Sequence, residues 1–138
     1  ACDWAVTSGS LPTGLGWFLA ASYANGLLLE VGRKIRAPDG EEEGVETYSK
    51  RWGRLLAVTA WGLAVVSAAA FSIIAALLVG AGTWAAGVLG LLVVAVGLAA
   101  GRFLRGPTAD RAEAIELCSG LWLLGSYGCM GLLPLLIA

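Results

Sequence analysis

Histidine is absent from the 138-residue chain, which removes His-ligated haem, histidine-based zinc sites and the commonest general base. Charged residues make up only 14%, against about 25% in ordinary globular proteins. The net charge of −1 points to no polyanionic partner and gives no nucleic-acid signal. Cysteine is scarce: Cys2, Cys118 and Cys129 make no disulfide framework. Cys118 and Cys129 fall in one predicted helix, roughly 16 Å apart along its axis, which is too far to bridge. The opening "ACDWAVTSGSLPTG" has neither a basic n-region nor an apolar h-region, so no signal peptide is read there. The first residue is Ala rather than Met, and the chain is expected to be part of a longer protein.

What is present is apolar. Hydrophobic residues reach 58%, in long runs rather than in one stripe of a helix. The chain therefore reads as an all-α, integral membrane helical bundle forming a single domain over 1–138. About 20 mostly apolar residues cross roughly 30 Å of hydrocarbon, and four segments qualify: about 12–30, 55–79, 84–104 and 115–138. The first is the most polar, interrupted by Ser22, Asn25 and Glu30. "GAGT" (Gly80 to Thr83) is a tight turn that makes helices two and three an antiparallel hairpin. Between helices three and four, Gly106-Pro107 stops one helix, and Thr108 or Asp110 caps the next.

All nine Lys and Arg fall in the loop 31–54 or around the connection between helices three and four. In an alternating topology these regions share one side. By the positive-inside rule that side is cytoplasmic, with both termini outside, as in an inner membrane. Gly87, Gly90, Gly97 and Gly101 are expected to let helices approach closely. Trp4, Trp17, Trp52, Trp61 and Trp84 lie near span ends, where interfacial anchoring explains most of them, and Trp122 reads as packing.

The interval "EVGRKIRAPDGEEEGVETYSKRWG", Glu30 to Gly53, holds most of the charge. On the first helix Tyr23, Gly26, Glu30 and Lys34 follow three- and four-residue steps, and Ser22, Asn25, Leu29 and Arg33 form the neighbouring stripe. Such a polar stripe suits a helix that lines a polar cavity, with Tyr23 and Asn25 beneath the charges. Past the Pro-Asp-Gly turn come Asp39, Glu41, Glu42, Glu43 and Glu46. Carboxylates suit a hard cation such as Mg2+, and the clustered Arg33, Lys34 and Arg36 suit phosphate oxygens. A solvated acidic loop beside the basic flank of a helix is the plainer alternative.

Here the sequence resembles the second acidic motif of the UbiA-type intramembrane prenyltransferases. The matching pieces are Glu30-Val31-Gly32-Arg33-Lys34, then Gly44-Val45-Glu46-Thr47, then Trp52-Gly53. One helix before the motif and three after it correspond to the last four helices of that family's nine-helix bundle. The resemblance implies transfer of an isoprenyl group from its diphosphate to an aromatic or lipid acceptor, with Mg2+ as cofactor. It implies Glu30 as the catalytic, metal-linked carboxylate and Asp39 and Glu41 to Glu43 as further ligands. Arg33, Lys34 and Arg36 become diphosphate contacts. Glu30 is the single acid of the first block, where the family has Asp. The first acidic motif belongs to helices outside this chain, so the chain is expected to be inactive alone and to need a missing N-terminal half or a partner subunit. The expected partners are membrane lipids, the isoprenyl diphosphate and a hydrophobic acceptor, with no nucleic acid. The alternative is a small membrane protein without chemistry, a transporter subunit or an assembly partner. Transporters need ionisable residues at mid-membrane depth, and helices two to four have none well inside.

Overall fold

The computed structural model describes residues 11–38 and 46–137, and among them every regular element is helical. The elements are α1 (Leu15–Arg33), α2 (Tyr48–Trp52), α3 (Arg54–Leu78), α4 (Gly82–Arg105) and α5 (Ala109–Tyr127). A π-helical turn (Gly128–Leu132) and α6 (Leu133–Ile137) follow. α1 packs against both α3 and α5, and α4 closes the other side against the same two helices. The result is a helical ring whose charged connections all lie at one end.

Among the described residues, three helical segments are long and apolar enough to cross a membrane: Arg54–Leu78, Gly82–Arg105 and Ala109–Leu136. α1 is not among them. It has 19 residues, but Ser22, Asn25, Glu30 and Arg33 lower its hydropathy. It also begins and ends three residues later than the expected span 12–30. Large side chains point outward, Leu91, Leu124 and Leu135 each at least 74% exposed, while Asn25, Ser72, Ser119 and Ser126 are buried. A surface this apolar over a partly polar interior suits a lipid solvent.

The α3–α4 hairpin closes as the "GAGT" reading expects. Gly80 adopts φ 79°, Ala81 N donates to Ala76 O at 2.9 Å and Gly80 N to Leu77 O at 3.2 Å. This is a Schellman ending, which needs a left-handed residue at the glycine. At the α4–α5 connection the cap differs from expectation. Thr108 precedes α5 without a side-chain cap, and Asp110 lies in the first turn. The ordering contact comes from Arg111, whose Nη1 donates to Arg102 O at 2.9 Å and Gly106 O at 2.7 Å. A side chain at Gly106 would begin 2.7 Å from that nitrogen. Gly106→Ala is thus expected to displace Arg111 and to cost about 1.5 kcal/mol, typical of a hydrogen bond to a charged group. Thermal unfolding in detergent would register it, and an unchanged midpoint would show that the cap contributes nothing.

The fourth expected span continues through the π-helical turn, which Pro134 explains. Proline lacks an N–H, and its ring would collide with the carbonyl of Met130 in a regular α-helix; the wider turn relieves this.

Two packing expectations change. Gly87, Gly90 and Gly97 face outward and Gly101 is half-buried. An added Cβ at any of the four meets nothing within 4 Å, so these glycines mediate no close approach among the described residues. The close approaches occur at Gly32, Gly82 and Gly125 instead. Trp61, expected near an interface, is fully buried, because its indole N–H finds a partner inside. Trp17, Trp52 and Trp84 are exposed, and Trp4 lies outside the described residues. Cys118 and Cys129 are free thiols.

Two tiers of buried hydrogen bonds tie the ring together. In one, Asn25 Nδ2 donates to Ser126 Oγ at 3.0 Å, Trp122 Nε1 donates to Asn25 Oδ1 at 3.0 Å, and the Ser72 and Ser126 hydroxyls meet at 3.0 Å. In the other, nearer the charged end, Trp61 Nε1 donates to Ser119 Oγ at 3.0 Å. Ser119 Oγ donates in turn to Ile115 O at 2.8 Å. Gly32 lies against this second pair, where any Cβ would strike Ser119 Oγ. Among the described residues no buried side-chain polar atom is left unpaired.

Candidate functional site

Helical periodicity assembles the core of the site on the last turn of α1. Glu30, Arg33 and Lys34 are three and four residues apart, the spacing that brings side chains together. Glu30 Oε2 accepts from Arg33 Nη2 at 2.8 Å, and Glu30 Oε1 meets Lys34 Nζ at 2.7 Å. The three side chains are roughly half exposed. The hydrogen bond to Glu30, aided by its negative charge, holds the Lys34 amine charged above its ordinary range.

The two ends of the charged loop are clasped at its base. Tyr48 N donates to Lys34 O at 3.1 Å, and Arg36 N donates to Ser49 Oγ at 2.9 Å. Thr47 Oγ1 accepts from Lys50 N at 3.3 Å and so caps α2. Ile35, Ala37, Thr47 and Ser49 are buried in this base, which fixes the backbone carrying Lys34 and Arg36. The Lys34 ammonium stands 5.3 Å from the centre of the Tyr48 ring, which is stacked on Trp52 at 4.3 Å. Arg36 reaches α5 instead of Glu30, with its Nη2 3.7 Å from Glu116 Oε2.

Each sequence-predicted residue can now be placed. Glu30, Arg33 and Lys34 form one cluster, and Arg36 joins the rim through Glu116. Asn25 is buried with its amide bonded in the first polar tier, whereas Tyr23 is 72% exposed on the outside. The two therefore do not face one cavity. Asp39, Glu41, Glu42 and Glu43 lie outside the described residues, and among those described no three His, Cys, Asp or Glu side chains converge as metal ligands. Both oxygens of Glu30 already face cations.

Beside the cluster, a groove of about 740 Å³ runs between α1 and α5. Arg33, Glu113 and Glu116 stand at its charged end, and Leu29, Leu117, Leu121 and Leu124 line its length around Gly120. A charged end beside an open, leucine-lined groove fits an amphiphile with a polar head and an apolar tail. Sequence reasoning missed Tyr48, Ser49 and the place of the α5 carboxylates beside α1, and it named Trp52 without its stack on Tyr48. Glu113 and Glu116 follow three-residue spacing, but nothing local shows that α5 lies beside α1.

No family model, no curated protein and no solved structure matches the chain.

Proposed function

We propose that this chain is the C-terminal portion of a UbiA-like prenyltransferase and supplies one wall of its isoprenyl diphosphate site. The observation that carries the reading is the pair Arg33 and Lys34, ordered by Glu30, with Arg33 standing at the charged end of the leucine-lined groove. Arg33 and Lys34 each use one donor on Glu30, and a guanidinium has five N–H groups and an ammonium three. The remaining donors face the charge that develops on diphosphate oxygen as the allylic C–O bond breaks. The apolar groove keeps water from the carbocation until the aromatic or lipid acceptor attacks it. Glu30 positions both cations. In this reading α1 makes a fourth crossing, the charged end is cytoplasmic and both ends of the segment lie outside. A missing N-terminal half or a partner subunit completes the site.

The described residues do not by themselves fit a Mg2+ centre, because Glu30 is engaged with Arg33 and Lys34. Mg2+ is proposed only with the loop carboxylates Asp39 and Glu41 to Glu43. When bound it supplies charge neutralisation at the diphosphate.

Prenyl transfer by the full-length protein tests the reading. Lys34→Ala and Glu30→Gln are each expected to lower kcat/KM about tenfold to a hundredfold, the range for losing a charge-assisted hydrogen bond. Unchanged turnover in both variants would remove this interval from the active site. No prenyl transfer by the full-length wild-type protein would instead favour the second reading, a membrane assembly partner without catalysis. Its support is that the described buried side-chain polar atoms are all paired within the bundle, where they hold helix to helix.

A further inference from the structure

Two arginines, Arg102 and Arg111, stand where α4 meets α5, at a second groove that the proposed diphosphate site does not use. The groove has a volume of about 260 Å³ and lies between the two helices. Ala95, Leu98, Ala99 and Ala114 wall it, and Arg102 and Arg111 stand at one end. Alanines facing one another across a helix pair leave a shallow trough that a methylene chain fills.

The cations above it are placed differently. Arg111 is fixed by its two bonds to the Arg102 and Gly106 carbonyls, both made through Nη1. Among the described residues its Nε and Nη2 make no hydrogen bond, which leaves their protons for a ligand. The guanidinium of Arg102 is exposed and enters none of the ion pairs among the described residues. Asp110 is exposed nearby on α5 but does not line the groove.

We propose that this groove binds an anionic phospholipid, its phosphate between Arg102 and Arg111 and one acyl chain in the alanine trough. Guanidinium groups present forked donors that match phosphate oxygens. Clustered cations at a membrane surface draw anionic headgroups from the lipid pool. Both helices that form the trough are long and apolar enough to cross a membrane, so a chain lying along them runs parallel to the bilayer's own chains. The apolar trough below the cations selects a lipid over a free anion. The site stands independently of the prenyltransferase reading.

The test uses the full chain purified in detergent and titrated separately with phosphatidylglycerol, phosphatidylcholine and inorganic phosphate. Native mass spectrometry reads lipid retention, and thermal unfolding reads stabilisation. Phosphatidylglycerol is expected to be retained in preference to phosphatidylcholine. Arg102→Gln, at an exposed side chain, should weaken its binding by about fivefold. Ala95→Phe, at an exposed wall position, fills the trough without touching a cation and should also weaken retention. Equal retention of the two lipids overturns the proposal, as does equal stabilisation by phosphate alone. Undiminished phosphatidylglycerol binding in both variants overturns it too.

Discussion

Replacing Gly32 with valine is expected to destabilise the bundle by about 3 kcal/mol, the upper part of the usual range for overpacking. Three helices converge at this point. A Cβ on Gly32 would collide with Ser119 Oγ and lie 3.1 Å from Trp61 Nε1. Neither neighbour has room to move. Trp61 and Ser119 are completely buried, and the serine hydroxyl is bonded on both sides, to Trp61 and to Ile115 O. Gly32→Ala should act in the same direction with a smaller effect. Chemical unfolding in detergent measures both variants. A cycle with Ser119→Ala isolates the cause, because the double variant Gly32→Ala/Ser119→Ala should lose less than the sum of the singles. Strict additivity would mean that the collision is not what destabilises the chain.

The second large effect is expected at Asn25. Asn25→Leu keeps the bulk but leaves the Trp122 indole N–H without an acceptor and deprives Ser126 of one partner. Stranding a buried polar group costs about 1–3 kcal/mol, so a loss of roughly 2–4 kcal/mol is expected. Ser126 retains Ser72, which keeps the estimate below two full penalties. Adding Trp122→Phe removes the stranded donor and should restore part of the stability. No recovery in that double variant would place the cost in packing and not in the hydrogen bond.

The positions of the helices were legible because apolar runs are long and punctuated. The expected segments 55–79 and 84–104 differ by at most two residues at either end from Arg54–Leu78 and Gly82–Arg105. The turn at Gly80 was readable from its glycines. The cluster of Glu30, Arg33 and Lys34 was readable from helical spacing alone. What was not legible depends on azimuth, the direction a residue faces around its helix. Ser72, Ser119 and Ser126 look like incidental small polar residues in apolar runs. They acquire meaning only when α3 and α5 bring positions more than fifty residues apart within hydrogen-bond reach. The same ignorance of azimuth made Gly97 and Gly101 look like packing sites and left Gly32, quoted only as part of a motif, without a packing role. Trp61 was misread because its distance along the helix from the charged end is visible in sequence and its inward direction is not. Asn25 and Tyr23, neighbours in a polar stripe, separated for the same reason.

The two polar tiers also act as a ruler. Hydrocarbon gives helices little reason to prefer one axial offset over another, since leucine against leucine and leucine against lipid are nearly equivalent. Ser119 and Ser126 are two turns apart on α5, roughly 10 Å, and Gly32 and Asn25 repeat that interval on α1. Each rung of one helix meets its counterpart on the other. A slip of one turn, about 5.4 Å, would break both rungs together. The depth at which Glu30 and Lys34 stand relative to α3 and α5 is therefore gauged from inside the bundle, below the charges themselves.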